Sequence, residues 1–428
     1  MAFRLFFPAL LGAAISLLTA TPLVHADNPI NSSFPYGSEK VRGVNLGGWL
    51  LIEPWITPSL FINTGNDSII DEWTFGLYQN HSTAEAALQQ HWDTFFTEVD
   101  FKAIAAAGLN HVRLPIGYWA FEVGPGEPYI QGQLPYIKKA ITWAGKYGLK
   151  VIIDLSGAPG SQNGFLNSGQ TLAVPGWSTN ATDVSRTDAI IQTIAGMFDK
   201  DVVSVIEPLN EPPGYDGEAV LSVLTQFYND SYSNIRFPFK NTSQESNTVV
   251  LLHDAFQPLS YWSGFMAPPS YQGVMLDTHI YQNFNVSDLA KTQQEHINTA
   301  CAVATSGIQN FDLGVIVGEW APAITDCAKW LNGRDVGSFY DGSFPNTTAI
   351  GSCDGLSGFA STFNSTYLTF LRQYWEAQTL AYEAGQGWIQ WTWKTEAGAG
   401  EEWSYQVGLQ YGWIPQDPTS RLYPTICD

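Results

Sequence analysis

Residues 202–212 read VVSVIEPLNEP, a short apolar run that ends in an amide, a carboxylate and a proline. The apolar residues predict a strand that is buried on both faces. Proline cannot continue a central strand ladder, so the strand ends there and Glu211 projects from its carboxyl end. In a closed barrel of parallel strands, that end is the catalytic face.

A second stretch has the same design. Residues 313–322 read LGVIVGEWAP, where a β-branched run stops at Glu319. Either glutamate alone would more often be structural or merely solvated than catalytic. Two buried strands that each present one glutamate at the tip match the carboxylate pair that cleaves glycosidic bonds. The two stretches together therefore predict a catalytic pair.

Strand patterns alternate with helical patterns along the rest of the chain. Helical spacing recurs over 84–107, 134–147 and 186–198. Alternation of this kind implies parallel strands joined by right-handed crossovers, and eight units imply a closed barrel. We therefore predict the α/β class, with 27–428 forming a single (β/α)8 catalytic barrel with loop insertions. The alternative is an open doubly wound sheet, but no G-x-G-x-x-G follows the first strand. The predicted strands are 41–46, 110–114, 150–155, 202–209, 248–253, 273–277, 313–317 and 387–392.

Residues 1–26 have the pattern of a signal peptide. Arg4 precedes an apolar stretch over 5–18, and Val24 and Ala26 provide small residues for cleavage. No other stretch reaches 18 uninterrupted apolar residues, the length that would predict a membrane span. We expect a secreted, extracellular or wall-associated glycoprotein. Its Asn-x-Ser/Thr sequons begin at Asn31, Asn66, Asn80, Asn180, Asn229, Asn241, Asn285, Asn346 and Asn364.

The chain has four cysteines, Cys301, Cys327, Cys353 and Cys427. Their even number, in a protein expected to be secreted, favours two disulfides. Metal binding is the alternative, but no C-x-x-C motif or histidine spacing supports it.

The composition is strongly acidic, with 40 Asp and Glu against 19 Lys and Arg. This balance argues against nucleic acid and anionic membranes as partners. Aromatic residues make up 14% of the chain and include 16 Trp. Part of this content belongs to the core, and part is available for stacking on sugar rings.

Further polar and aromatic residues fall at or near the predicted strand ends. Each could have a purely structural role, such as a salt bridge or a satisfied core histidine. Their repeated occurrence at equivalent positions indicates a shared site. These residues are Arg113, Asn210, Glu211, His279, Tyr281, Glu319 and Trp393.

An ordered set of motifs extends over essentially the whole mature chain. Through it the chain resembles glycoside hydrolase family 5, and within that family the secreted fungal exo-β-1,3-glucanases and their relatives. LNEP alone is moderately specific, whereas the ordered set is highly specific. The motifs are RGVNLGGWLLIEPWITPSLF (42–61), NHVRLPIGYWAF (110–121), GAPGSQNGF (157–165), LNEP (209–212), DTHIYQNF (277–284), GEWAPAITDCAKWLNG (318–333), WTWKTE (391–396) and EEWSYQVGL (401–409).

The resemblance implies a retaining mechanism in which Glu211 is the general acid/base and Glu319 the nucleophile. It implies no metal and no cofactor, and it pairs Cys301 with Cys427 and Cys327 with Cys353. We expect burial to raise the pKa of Glu211, and Arg113 to favour the ionised form of Glu319. The resemblance also implies sugar-binding roles for Glu53 at the closed end of the pocket, Arg113 and Tyr281 beside the nucleophile, Asn210 at the 2-hydroxyl, His279 beside the acid/base, Phe165 and Phe284 as a gate, and Trp393 as the floor.

The chain departs from the family within the expected pocket. Where the family usually has DLHGAPGSQNGFDNSG, this chain has DLSGAPGSQNGFLNSG, so that Ser156 replaces a histidine and Leu166 an aspartate. In the turn 334–340, RDVGSFY, Val336 and Phe339 stand where the family usually carries arginines. We expect a roomier and less polar sugar pocket that includes Ser156 and Leu166.

Three functions are compatible with these features. The first is an exo-β-1,3-glucanase that acts on wall or storage glucan. The second is a diglycosidase that removes rutinose from plant glycosides, since a 6-O-substituted glucose needs extra room in the pocket. The third is a non-catalytic glucan-binding barrel, which the presence of both glutamates disfavours. We favour the diglycosidase, acting as a monomer.

Overall fold

The strands of the chain pair side by side in one closed ring. The computed structural model describes residues 34–198, 200–241 and 245–428. Within these ranges all neighbouring strands are parallel, and the last strand pairs with the first, which confirms the predicted (β/α)8 barrel. The strands are β1 (Val41–Asn45), β2 (His111–Gly117), β3 (Lys150–Gly157), β4 (Val203–Glu207), β5 (Val249–His253), β6 (Val274–Ile280), β7 (Gly314–Trp320) and β8 (Gly387–Gln390).

Several strands extend beyond their predicted ends. β2 continues to Gly117, so Arg113 lies within the strand rather than at its tip. β6 and β7 likewise include His279 and Glu319. Since β2 and nearly all of β7 are buried, apolar periodicity alone could not locate these ends.

Helices connect the strands and cover the outside of the barrel. The helix predicted over 84–107 is in fact two helices. The second helix begins at a capping box, in which the backbone N–H of Thr97 donates to Asp100 Oδ2 at 2.9 Å. The described α-helices are α1 (Pro58–Ile62), α2 (Glu72–Leu77), α3 (His81–Thr94), α4 (Glu98–Ala106), α5 (Leu134–Lys146), α6 (Ala181–Met197), α7 (Glu218–Arg236), α8 (Val286–Leu289), α9 (Gln293–Ala302), α10 (Ser365–Tyr382) and α11 (Tyr405–Tyr411).

The segment before β1 closes the amino-terminal end of the barrel. The Tyr36 hydroxyl lies 2.8 Å from Nε2 of His111 and donates to Oγ of Ser204 at 2.7 Å. Both partners stand near the starts of their strands, and Phe34 packs against the His111 ring. The opposite, carboxyl-terminal end is therefore the end available for a site.

Two disulfides fasten the later part of the chain. Cys301 bonds Cys427 with a Cα–Cα distance of 5.2 Å, and Cys327 bonds Cys353 at 5.6 Å. Both pairings implied by the resemblance are thereby confirmed. The expected signal peptide, 1–26, lies outside the described residues. Among the helices that are described, none combines the length and apolarity that crossing a bilayer requires.

Candidate active site

Arg113 lies at the centre of a buried network of carboxylates and amides. Its Nε donates to Glu207 Oε2 at 2.8 Å, and its Nη1 donates to Glu319 Oε1 at 2.8 Å. Nη1 also donates to Asn45 Oδ1 at 3.0 Å, and Nη2 donates to Asn210 Oδ1 at 2.8 Å. The guanidinium is fully buried. Because these carboxylates compensate its charge, Arg113 can hold Glu319 in a single orientation.

Glu319 lies near the end of β7, with a donor at each carboxylate oxygen. In addition to the bond from Arg113, its Oε2 accepts a hydrogen bond from the Tyr281 hydroxyl at 2.8 Å. Burial raises the pKa of Glu319 to about 7, against the positive charges of His279 and Arg113, which lower it. The carboxylate is therefore fixed in place, and its ionisation depends on the neighbouring cations.

Glu211 follows β4 with its backbone in the left-handed region, at φ 47°. Non-glycine residues seldom adopt this conformation, which recurs at functional sites. Nδ1 of His279 lies 2.8 Å from Glu211 Oε1, and Nδ2 of Asn167 donates to Oε2 at 2.6 Å. Burial opposes ionisation, but the hydrogen bond and charge of His279, together with Asn167, lower the pKa of Glu211 below its ordinary value.

These pKa directions are the reverse of those expected from the sequence, because His279 lowers the pKa of Glu211 and burial raises the pKa of Glu319. Nδ1 of His279 is also 3.6 Å from Glu319 Oε2, and its Nε2 is 3.5 Å from Asp277 Oδ2. Although burial opposes the charge, these carboxylates and Glu211 raise the pKa of His279 well above its ordinary value. His279 is therefore favoured over Glu211 as the holder of a proton, and the two groups are one hydrogen bond apart.

Both glutamates open onto a cavity of about 630 Å³ that includes most of the expected pocket residues. Glu53 is buried in its wall, where Trp55 Nε1 donates to its Oε2 at 3.0 Å. Burial raises the pKa of Glu53 to about 8. Phe165 and Phe284, the expected gate, are both exposed. The lining residues are Glu53, Trp55, Gly164, Phe165, Leu166, Asn167, Thr171, Glu211, Tyr215, Phe256, Tyr281, Phe284, Glu319, Leu331, Asn332, Trp391 and Trp403.

The expectation that Trp393 forms the sugar floor is wrong. Trp393 is only 1% exposed, its Nε1 donates to Asp100 Oδ1 at 3.2 Å, and its ring stacks on Tyr405. Trp391 and Trp403 line the cavity instead. Alternation along the WTW motif does not distinguish the two tryptophans, since both are buried.

The two pocket departures occupy different environments. Leu166 lines the cavity and makes part of its wall apolar. Ser156 is buried within β3, and its hydroxyl donates to Asp154 Oδ2. The Ser156 hydroxyl is therefore already committed to a neighbouring carboxylate, whereas Leu166 is in a position to contact a ligand.

Several residues of this site were not predicted from the sequence. Glu207 could have been recognised, because a carboxylate inside an otherwise apolar strand requires a buried partner. Asn167 directly follows Leu166 in the motif that marked the departures. No local pattern singles out the other missed residues, Tyr215, Phe256 and Trp391.

Among the described residues, two groups of three side chains bring ligand-type atoms within 4.8 Å of one another, namely Glu207, Asp277 and His279, and Glu211, His253 and His279. The carboxylates in these groups already face the positive charges of Arg113 and His279. Their negative charge is thus balanced by protein groups. The expectation of a metal-free and cofactor-free site stays a prediction.

Comparison with known proteins adds a family and two sets of relatives. The family model for cellulase, glycosyl hydrolase family 5, matches residues 77–332. The chain is 44% identical to a glucan 1,3-beta-glucosidase of Blumeria graminis, over 98% of this chain and 96% of that protein. It is 43% identical to a probable glucan 1,3-beta-glucosidase A of Aspergillus niger, over 97% of each.

Among solved structures, the rutinosidase from Aspergillus niger superposes with a TM-score of 0.69 at 20% sequence identity. The match covers 88% of this chain and 98% of the rutinosidase. Identity this low carries the likeness of fold alone, which agrees with the closed barrel.

Proposed function

Because the chain belongs to glycosyl hydrolase family 5 and is a β-glucosidase-type hydrolase, we propose that it is a retaining glucan 1,3-β-glucosidase. It would release glucose from the non-reducing end of β-1,3-glucan. The observation that carries the proposal is the arrangement of Glu211 and Glu319 around His279 in one cavity.

The geometry favours retention of anomeric configuration. One oxygen of each glutamate lies within 3.6 Å of the same nitrogen, His279 Nδ1. Retaining pairs stand about 5–5.5 Å apart, whereas inverting pairs need about 6.5–9.5 Å to admit a water molecule. Two carboxylates that share one histidine fit the shorter separation.

The proposed reaction has two steps. In the first, Glu319 attacks the anomeric carbon while Glu211 gives its proton to the leaving oxygen, which breaks the glycosidic bond. In the second, Glu211 takes a proton from water as that water displaces Glu319 from the glucosyl unit. His279 would supply the proton that Glu211 holds before the first step, through their 2.8 Å contact.

Asn210 and Glu53 are proposed to bind sugar hydroxyls. Oδ1 of Asn210 is occupied by Arg113, and within the described part of the chain its Nδ2 has no protein partner. That Nδ2 is therefore available to donate to the 2-hydroxyl, a bond that would strengthen in the transition state. Glu53 would accept from hydroxyls at the closed end of the cavity.

The comparisons favour the glucanase alternative over the diglycosidase that we favoured from the sequence. Relatives that match nearly the full length are glucan 1,3-beta-glucosidases, three of them at 42–44% identity. The solved rutinosidase is similar in fold, at 20% identity. Whole-chain identity above 40% is stronger evidence for a shared site than similarity of the barrel fold is.

One observation keeps the diglycosidase as a second candidate. Leu166 presents an apolar side chain to the cavity at the position of a family aspartate. An apolar wall offers no hydrogen bond to the hydroxyls of a bare glucose, so it favours that substrate less than an aspartate would. If this wall were decisive, the joint change of Ser156→His and Leu166→Asp would lower activity on rutin about tenfold, through a clash of about 1.4 kcal/mol.

The test is a parallel assay on laminarin and rutin, with the released sugar followed by NMR. We expect glucose from laminarin, initially as the β-anomer, and little product from rutin. Release of rutinose from rutin without glucose from laminarin would establish the diglycosidase instead. Initial α-glucose would remove the nucleophile role from Glu319.

We also propose that the protein is secreted and acts as a monomer. Both disulfides suit an oxidising compartment. Secretion is checked by detecting the mature chain in culture medium, and the oligomeric state by sedimentation.

A further inference from the structure

A second cavity, of about 470 Å³, lies outside the catalytic cavity and shares no lining residue with it. One of its walls is a single face of α3, since Thr83, Ala87 and Gln90 recur at helical spacing among its lining residues. Asn80 is the N-cap of the same helix and precedes Thr83 by about one turn. This wall of the cavity therefore begins beside a sequon, NHS at 80–82.

The second cavity presents hydroxyl and amide groups that are available to a ligand. The side chains of Ser59, Asn63 and Gln90 line it, are exposed, and make no hydrogen bond to another described residue. The rings of His91 and Phe95 also line it and stack on each other, with centroids 5.0 Å apart. Aromatic faces beside uncharged donors and acceptors suit a neutral sugar.

Asn80 can carry a sugar without losing its structural role. Its Oδ1 caps α3 by accepting from the backbone N–H of Ser82 at 3.1 Å and from the Ser82 hydroxyl at 2.8 Å. The side chain is exposed, and its Nδ2 has no partner among the described residues. At other sequons the amide is already committed, since Nδ2 of Asn180 donates to a carboxylate and Nδ2 of Asn229 to a helix carbonyl, both at 2.8 Å. A substituent on Asn80 therefore displaces no hydrogen bond.

We propose that Asn80 is N-glycosylated and that the inner N-acetylglucosamine units of its glycan occupy the cavity along α3. Attachment forms a bond between Asn80 Nδ2 and the anomeric carbon of the first sugar. The bond from that carbon to a lipid-linked pyrophosphate breaks, the pyrophosphate leaves, and a base of the transferase takes one amide proton. The inference rests on the proposed secretion, because this transfer takes place in the secretory pathway.

Within the cavity the glycan makes two kinds of contact. The apolar C–H faces and acetyl methyl groups cover the ring of Phe95, which is half-buried. The sugar hydroxyls and acetamido groups bond to the free side chains of Ser59, Asn63 and Gln90. The glycan thus connects α3 to the segment that contains α1, and it stabilises the folded chain.

The first experiment maps glycans on the full-length protein, produced in a fungal host and purified from the medium. Peptide mass spectrometry should find Asn80 modified. Asn364 is the matched comparison, since it caps α10 through its Oδ1, has no described partner for its Nδ2 and does not line the cavity. In the native protein, peptide-N-glycosidase should release the glycan of Asn80 roughly tenfold more slowly than that of Asn364, because the enzyme needs the glycan to leave the cavity first. Equal release rates would overturn the placement in the cavity.

Variants of the sequons measure what the glycan contributes to stability. Ser82→Ala removes the sequon and keeps the Asn80 side chain, so the Tm should fall by about 2 °C. Ser82→Thr preserves both the sequon and the hydroxyl and should leave the Tm unchanged. Thr366→Ala removes the sequon of Asn364 in the same way and should change the Tm little. Equal losses in Ser82→Ala and Thr366→Ala would contradict a specific contact at Asn80.

Gln90→Ala connects the glycan to the cavity. It should lower the Tm of the protein that carries the Asn80 glycan and should have no effect in the Ser82→Ala background, because the partner of Gln90 is then absent. Effects that add in the double variant would overturn the proposed contact.

The occupancy result also separates this proposal from the proposed secretion. A chain that reaches the medium with Asn80 unmodified would overturn the glycan and leave secretion standing. A chain that stays in the cell with Asn80 unmodified would contradict both. If Asn80 is unmodified and Gln90→Ala weakens binding to insoluble β-1,3-glucan, the cavity binds a glucan chain and the proposal is wrong.

Discussion

Nδ2 of Asn167 lies 2.6 Å from Oε2 of Glu211 and completes a pair of donors whose other member is His279. The bond connects the loop after β3 to the proposed acid and helps to lower its pKa. Sequence patterns gave no reason to separate this asparagine from its neighbours. It therefore provides a direct test of how the protonation of Glu211 is controlled.

Replacing Asn167 by Ala should move the basic limb of the pH profile. Loss of a donor destabilises the Glu211 carboxylate, so its pKa rises and the acid keeps its proton to higher pH. We expect the basic limb of kcat/KM to shift upward by about half a unit to one unit. A limb that stayed in place or moved to lower pH would show that Asn167 does not act on this proton.

Azide distinguishes the roles of the two glutamates. Glu211→Ala should slow laminaribiose hydrolysis by about 10²–10⁴-fold but should hardly affect formation of the glucosyl intermediate from dinitrophenyl glucoside, whose leaving group needs no proton. Azide should then yield β-glucosyl azide. With Glu319→Ala, azide attacks the opposite face and should yield the α-product. If Glu211→Ala gave the α-azide and Glu319→Ala gave the β-azide, the roles assigned to the two glutamates would have to be exchanged.

The two disulfides should have separable effects. Cys327 and Cys353 enclose Leu331, which lines the cavity, whereas Cys301 and Cys427 tie the end of the chain to α9. Their sequence separations of 26 and 126 predict stability losses of about 3.5 and about 5 kcal/mol when both partners become Ala. We expect a raised KM for laminarin only in the variant that lacks the Cys327–Cys353 bond. Unfolding curves and kinetics check both, and identical KM values would contradict the expected link to the cavity.

Asp188 should make stability depend on pH. Burial and the charge of Asp230 raise its pKa from 3.8 to about 7. Between about pH 4 and 7 the unfolded chain releases this proton and the native chain keeps it, so stability falls as pH rises. The asparagine of Asp188→Asn does not titrate. The Tm of this variant minus that of the wild type should therefore rise by roughly 2 °C across that window and then stay constant. Parallel Tm curves for variant and wild type would contradict the raised pKa.

The sequence by itself determined the architecture and the pair of glutamates. Strand patterns that alternate with helical patterns specify parallel strands joined by crossover helices, and eight such units close into a barrel. In such a barrel every strand's carboxyl end meets at one face, so Glu211 and Glu319 had to converge. The disulfide pairing came from the resemblance, since four cysteines alone allow three connectivities.

Only the tertiary structure decided which side chains face the cavity and where the proton lies. Trp391 and Trp393 are two residues apart and both buried, yet only Trp391 lines the cavity. The lowered pKa of Glu211 depends on His279, which approaches from a separate strand, whereas burial raises the pKa of Glu319. Protonation depends on distances of a few ångströms between residues far apart in sequence. A pattern read along the chain records burial and spacing, but it does not contain those distances.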